Sequence, residues 1–281
     1  MQPVSPPLPG FAPEPAQGRT FVTSRTVRST DVSPCGRLRL DAVARYLQEA
    51  AEDDIAEAGW AAPYGWLLRR CAITVRSYPS RGDTVRLCTF CSGTGQRWAE
   101  RTTTLAGPAG DVMQARAIWV AIDRASGEPV LLGPGFGRIY GEPAQGHRVS
   151  ARLSLPAPDG TSGGRDWPLR ASDFDTAGHV NNTIHWAAVE EMLAAGRMPG
   201  GPAARPEPGR WLEPGWLPAF AELEYHRQIL PGLLPRLVIR HEPGQVMLWL
   251  MNGGERLASA RLTGAPPAEP GRPGPAGDAA S

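Results

Sequence analysis

Residues 170–193, RASDFDTAGHVNNTIHWAAVEEML, carry the reading that decides the fold. The first half of the stretch is turn-forming and polar: Asp173 and Asp175 precede Thr176, Ala177 and Gly178, and His179 follows. From Asn182 to about Ala195 the pattern becomes helical, and an Asn at 181 or 182 suits the helix start, where a side-chain oxygen can accept an orphan backbone N–H. Residues 167–171 just before it read as a strand. The local order is therefore strand, turn, helix.

Downstream, residues 220–227, 236–241, 245–251 and 256–262 read as strands separated by PGLLP, EPGQ and NGGE turns. A long helix followed by an antiparallel meander is an α+β arrangement in which the sheet can wrap the helix. The first half of the chain has the same order. A strand over 21–29 leads through DVSPCG into a helix from about Arg39 to near Gly59, with Leu40, Val43, Ala44, Leu47, Ala50, Ala51 and Ile55 recurring at helical spacing. Strands follow at 72–78, 83–91, 96–105 and 111–122.

An ungapped shift of 142 residues superposes the halves, pairing Asp31 with Asp173, Gly36 with Gly178, Leu47 with Val189, Gln48 with Glu190 and Glu49 with Glu191. Two tandem copies of one fold follow, joined through the Gly/Pro-rich GPGFGRIYGEPAQG segment. The second copy carries an insertion from Gly196 to about Pro214. The expected organisation is a disordered Pro-rich tail at 1–18, a first domain at 19–140, a linker at 141–165, a second domain at 166–263 and a disordered tail at 264–281.

Composition narrows the chemistry. A net charge of +1 over 281 residues gives no global case for nucleic acid. All 29 basic residues are Arg, which excludes Schiff-base mechanisms on lysine. No run approaches the ~18 apolar residues of a membrane helix, and the N-terminus lacks the basic and apolar regions of a signal peptide. The expectation is a cytoplasmic protein without membrane insertion. Cys88 and Cys91 form a CxxC inside a strand, where odd spacing sends the thiols to opposite faces. No second ligand pair completes a zinc site, so no metal is expected, and these two with Cys35 and Cys71 read as buried reduced thiols.

Asp175 and His179 lie four residues apart across the turn, close enough to face one cavity. A carboxylate and an imidazole together can orient and deprotonate a water, an effect of ~10²- to 10⁴-fold. The N–H groups of the helix start can stabilise an oxyanion, and Gly178 permits close backbone approach. Asp173 is expected to be a structural cap, and Glu190 and Glu191 a solvated helix face or partners of arginines. Without a G-x-S-x-G elbow or a Ser/His/Asp or Cys/His order, a covalent serine or cysteine mechanism has little support.

The motif D-x-D-x-x-G-H-V-N-N at 173–182 and the following helix with Trp186 resemble the acyl-acyl carrier protein (acyl-ACP) thioesterases. GRLRLDAVARYLQEAA, WLLRR and SGTGQRWAERTTTL in the first half resemble actinobacterial members, and the likeness spans roughly residues 20–262. It implies a double hotdog fold and hydrolysis of fatty acyl thioesters, with Asp175 and His179 as catalytic residues, Asn181 or Asn182 supporting the carbonyl oxygen, and no cofactor or metal. The first copy has Ser33 and Arg37 at the positions of Asp175 and His179, so the resemblance puts one site in the second half. Gly178, Trp186, Leu40, Val43 and Leu47 are the expected substrate contacts, with Gln48 and Glu49 as further candidates for reaching the site.

Two departures stand out. Ala177 replaces a catalytic Asn of the plant enzymes, and their later acidic residue falls on Gln228, followed by Ile229 in place of a cysteine. The implied partner is an acyl carrier protein, or CoA, bearing the acyl thioester, and the chain would be a monomer or homodimer. An acyl-CoA or polyketide-type thioesterase and a non-catalytic acyl-binding hotdog are the alternatives. Arg69, Arg70, Arg76, Arg81 and Arg86 form a basic run that can meet an acidic carrier or be ordinary exposed strand residues.

Overall fold

The structure, a computed structural model, describes residues 10–108, 110–159, 164–195 and 216–264. The first half contains β1 (Thr20–Thr26), α1 (Leu40–Glu57), β2 (Gly65–Val75), β3 (Thr84–Thr94), β4 (Trp98–Gly107), β5 (Gly110–Ile122) and α2 (Gly133–Tyr140). The second contains β6 (Arg165–Asp166), α3 (Asn182–Ala195), β7 (Pro218–Tyr225), β8 (Arg236–Glu242), β9 (Gln245–Asn252) and β10 (Glu255–Gly264).

These strands form one antiparallel sheet in the order β1-β3-β4-β5-β2-β7-β10-β9-β8-β6. From the central β2–β7 pair outward, β5, β4, β3 and β1 on one side match β10, β9, β8 and β6 on the other. The halves are thus related by a pseudo-two-fold axis. The shift of 142 residues carries the 3-10 turn Ser29–Asp31 onto Ala171–Asp173 and the first residue of α1, Leu40, onto that of α3, Asn182.

In α1 the buried residues include Leu40, Val43, Ala44, Leu47 and Ala50, a stripe at three- and four-residue spacing, with Ala42, Tyr46 and Asp54 buried beside it. The helix stops where Gly59 takes φ +60°, the left-handed conformation that ends many helices. α1 packs on α3, and the main core runs through both halves, joining Leu40 and Val43 to Trp186, Val189, Leu223 and Leu248. Burying each such side chain contributes roughly 1.5–3 kcal/mol. The connection between halves crosses the outer face of the sheet: Trp98 Nε1 donates to Val149 O at 2.9 Å, Trp249 Nε1 to Pro156 O at 2.8 Å, and the Ser154 N–H to the buried Glu224 carboxylate at 2.6 Å.

Several elements differ from the sequence expectation. Strand β2 starts at Gly65 rather than residue 72, because a bulge between Leu68 and Arg70 breaks the alternation that would have revealed it. β6 has only two residues, not 167–171: it pairs with Arg236 and Leu237, and the chain then turns toward Ala171–Asp173. Residues 133–140, read as a connecting segment, form α2, which buries Phe136 and Tyr140 one helical turn apart.

Residues 10–18, assigned to the tail, include a stretch held against the sheet. Ala12 exchanges two 2.8 Å hydrogen bonds with the Gln114 amide. The remaining tail residues up to 9 and beyond 264, and the insertion at 196–214, lie outside the described residues. Cys71, Cys88 and Cys91 are buried, and burial pushes their thiols up to about 12, 11 and 11. Cys35 is exposed, contrary to expectation, because it sits in the first-half turn. Among the described residues no helix is long and apolar enough to cross a membrane, and no group of three His, Cys, Asp or Glu side chains is placed to hold a metal.

Candidate active site

The turn ahead of α3 is closed by a bridge between Phe174 and Val180. The Asp175 N–H donates to His179 O at 3.0 Å and the Gly178 N–H to Asp175 O at 3.0 Å. Gly178 has φ +81° and a Cβ there would meet open space, so backbone conformation alone demands glycine. The Val180 N–H donates to Ile229 O and the Asn181 N–H to Asp173 O, both at 2.9 Å, which fixes the turn from two sides.

Asp173 is a cap, as its position suggested. It is buried, and its carboxylate accepts the Arg170 N–H at 2.8 Å and pairs with the Arg170 guanidinium at 2.9 Å. Asp175 instead remains partly exposed. Its Oδ1 accepts the Ala177 N–H at 2.9 Å, and its Oδ2 lies 3.4 Å from His179 Nδ1. Asn181 caps α3, its Oδ1 accepting the Thr183 N–H at 3.0 Å and hydroxyl at 2.8 Å.

Asp175, Thr176, Ala177, His179 and Asn182 form one rim of a cavity of about 340 Å³. Gln48, Ala51, Glu52 and Ile55 of α1 face them, and Trp119 and Arg101 of the first-half sheet line the interior. The far end is aromatic, with Trp60, Trp66 and Tyr140 around Phe136 at ring-centroid distances of 6.0, 5.8 and 5.3 Å. A smaller inner cavity shares Gln48, Arg101, Trp119 and Asn182 with it and continues past Leu47, Trp186 and Tyr225. The whole arrangement is polar at the turn and apolar at depth.

The structure thus brings together Asp175, His179 and Asn182, with Trp186 and Leu47 at the inner cavity. Leu40 and Val43 are fully buried core and line neither cavity. Gly178 shapes the turn without lining the cavity, and Asn181 is spent on its cap. Gln228 is exposed and stands off the cavity, although the carbonyl of its neighbour Ile229 anchors Val180. Gln48 reaches the site, whereas Glu49 pairs with Arg25 at 3.2 Å.

The aromatic end was missed from sequence. Its signals were Trp60, Tyr64 and Trp66 close together, and Phe136 and Tyr140 four apart. The basic run is largely engaged within the fold: Arg69 donates to Tyr225 O, Arg70 lies 3.8 Å from Glu222, Arg76 stacks on Phe11 and Arg86 pairs with Glu14.

The first-half turn has the same backbone and different chemistry. Val32 bridges Leu38, the Ser33 N–H donates to Arg37 O at 2.8 Å, and Gly36 has φ +85°. There Arg37 makes a buried two-pronged ion pair with Glu190 of α3, at 2.7 and 2.9 Å. Glu190 is therefore an arginine partner inside the interface, and Glu191 is exposed.

Residues 18–134 match the family model of the acyl-ACP thioesterase N-terminal domain. Uncharacterized proteins of two Mycobacterium tuberculosis strains are 31% identical over 182 residues, which covers 64% of this chain and 72% of theirs. The chain belongs to the acyl-ACP thioesterase family. It is a thioester hydrolase with the double hotdog fold. Among solved structures, the 12:0-ACP thioesterase from Umbellularia californica superposes with a TM-score of 0.72 at 18% identity, covering 89% of this thioesterase and 98% of that chain. An acyl-ACP thioesterase from Bacteroides thetaiotaomicron gives 0.69 at 16% identity, covering 88% and 98%. At these identities the superpositions establish the shared fold alone.

Proposed function

We propose that this thioesterase releases free fatty acid from acyl groups carried on an acyl carrier protein, using Asp175 and His179. The observation that carries the reading is the 3.4 Å approach of these two side chains on the polar rim of a cavity that runs to an aromatic end. The acyl chain would lie toward Trp60, Trp66 and Phe136, with the thioester at the turn.

The Ala177 N–H holds Oδ1 of Asp175, which leaves Oδ2 beside the imidazole to take a proton from water as the water oxygen bonds to the acyl carbon. With the Thr183 and Ile184 N–H groups held by Asn181, the Asn182 N–H at the start of α3 would stabilise the resulting oxyanion. Collapse breaks the C–S bond, and the thiolate receives the proton through the Asp175–His179 pair. Atoms balance as acyl thioester plus water giving carboxylic acid plus thiol.

The similarity to acyl-ACP thioesterases supports the carrier-protein substrate. The test is turnover of a panel of acyl chains on carrier protein and on CoA. Carrier-bound acyl groups should be preferred, and Asp175→Ala should lower kcat by ~10²- to 10⁴-fold. Full activity in Asp175→Ala would sink the assignment, and a preference for acyl-CoA would replace the carrier.

A further inference from the structure

The pseudo-two-fold axis pairs position 48 with 190, 52 with 194, 179 with 37, and 182 with 40. In the first-half turn, the side chain at 190 crosses the interface between helices. The Glu190 carboxylate accepts from Arg37 at 2.7 and 2.9 Å and from the Leu40 backbone N–H, at the start of α1, at 2.7 Å. That half therefore contains a working anion slot, made of a helix-start N–H and the side chain at the turn, and it fills the slot with its own carboxylate.

In the second-half turn the same three positions hold Gln48, His179 and Asn182, and all three line one cavity. Position 194 is an alanine, but its counterpart Glu52 accepts a hydrogen bond from Gln48 Nε2 at 3.1 Å. Glu52 thus draws the carboxamide along its own helix, and the helix-start slot is left to substrate.

We propose that Gln48 is a catalytic residue that touches the substrate: its carboxamide, tethered by Glu52, donates its second N–H to the thioester carbonyl oxygen seated at the start of α3. This rests on the assignment of Asp175 and His179 above. The chemistry of the alternatives favours an amide here. A carboxylate would repel the oxyanion that develops as water adds, and the cavity's arginine, Arg101, is committed to Asp54 at 2.8 Å and Thr89 at 3.2 Å. Ala177, on the opposite rim, brings no donor side chain. The first half, which supplies neither the base nor the histidine, would then contribute directly to the reaction.

The test uses the full chain and the carrier-protein substrate that it turns over best. Gln48→Ala and Gln48→Met should each lower kcat by ~10²-fold, the loss of one oxyanion donor, with KM changed less than about threefold. Methionine keeps length and packing without an N–H, so recovery of kcat in Gln48→Met would show that the side chain acts by packing and would overturn the proposal. Gln48→Glu should be most impaired at neutral pH and recover part of its kcat as the pH falls and the carboxyl protonates to become a donor. Wild-type kcat and an unchanged pH profile in Gln48→Ala, with Asp175→Ala inactive, would overturn this proposal and leave the Asp175 assignment standing. Absence of thioester hydrolysis by the unaltered chain would overturn both.

Discussion

The turns at 32–38 and 174–180 share their bridge, their hydrogen bonds and a left-handed glycine, yet one is closed and the other open. In the first, Arg37 and Glu190 neutralise each other inside the helix interface. In the second, the equivalent positions carry a histidine and a neutral amide that line one cavity with Asp175. The same backbone scaffold is used once for an internal ion pair and once for the rim of an open cavity. What separates them is the charge placed at positions 142 residues apart, not a difference in fold.

The largest effect outside the proposed Asp175–His179 pair should come from breaking the closed turn. Glu190→Ala leaves the Arg37 charge buried without its carboxylate and removes the acceptor for the Leu40 N–H, a cost of about 3–5 kcal/mol. Urea unfolding should show a lowered midpoint. Replacing both partners, Arg37→Met with Glu190→Met, should recover most of that loss, because no uncompensated charge remains. If the single variant were as stable as the parent, the ion pair would not be what closes this turn.

A second difference lies one helical turn further on. His185 in α3 is fully buried with its ring edge-on to Tyr225, while its counterpart Val43 is plain core. Burial holds the His185 imidazole down at about 4, against 6.5 for the free side chain. Between those values the unfolded chain binds a proton that the folded chain does not, so stability falls as pH drops from 6.5 toward 4, by on the order of 3 kcal/mol from this group. His226, also lowered to about 4 mainly by burial, adds loss of the same sign. His185→Val, which makes α3 resemble α1 here, should flatten the pH dependence of the unfolding midpoint in that window without abolishing it. An unchanged slope would mean that His185 is not kept neutral.

The smallest predicted effect concerns the aromatic end, which the first half supplies through α2. Phe136→Leu shortens a side chain at the aromatic end of the cavity and should move the ratio of kcat/KM toward longer acyl chains by about tenfold, within the ~1–3 kcal/mol expected for a methylene in an apolar pocket. Competition between acyl chains of two lengths would measure it. A uniform loss across lengths would place the acyl chain elsewhere.

The sequence by itself determined the repeat, the order of the two long helices and the meander strands after each, and the identities at the turn. Apolar periodicity and turn glycines are local properties, and the 142-residue register follows from them directly. The same local chemistry marked Asp173 as a cap, because a carboxylate in a turn just ahead of a helix is placed to accept a nearby backbone N–H, as it does here from Arg170. Only the tertiary structure decided which side chains share a cavity. Leu40 and Val43 lie on the same stripe as Leu47, but the packing of α3 seals the first two into the core and leaves the third at the inner cavity. Helix α2 was masked by its glycines and Pro134, and its Phe136 becomes part of the site only because β2 and the end of α1 meet it there. Gln48 and His179 are 131 residues apart and carry no shared motif. Their meeting is set by the pseudo-two-fold packing of the two helices, which local sequence periodicity does not encode.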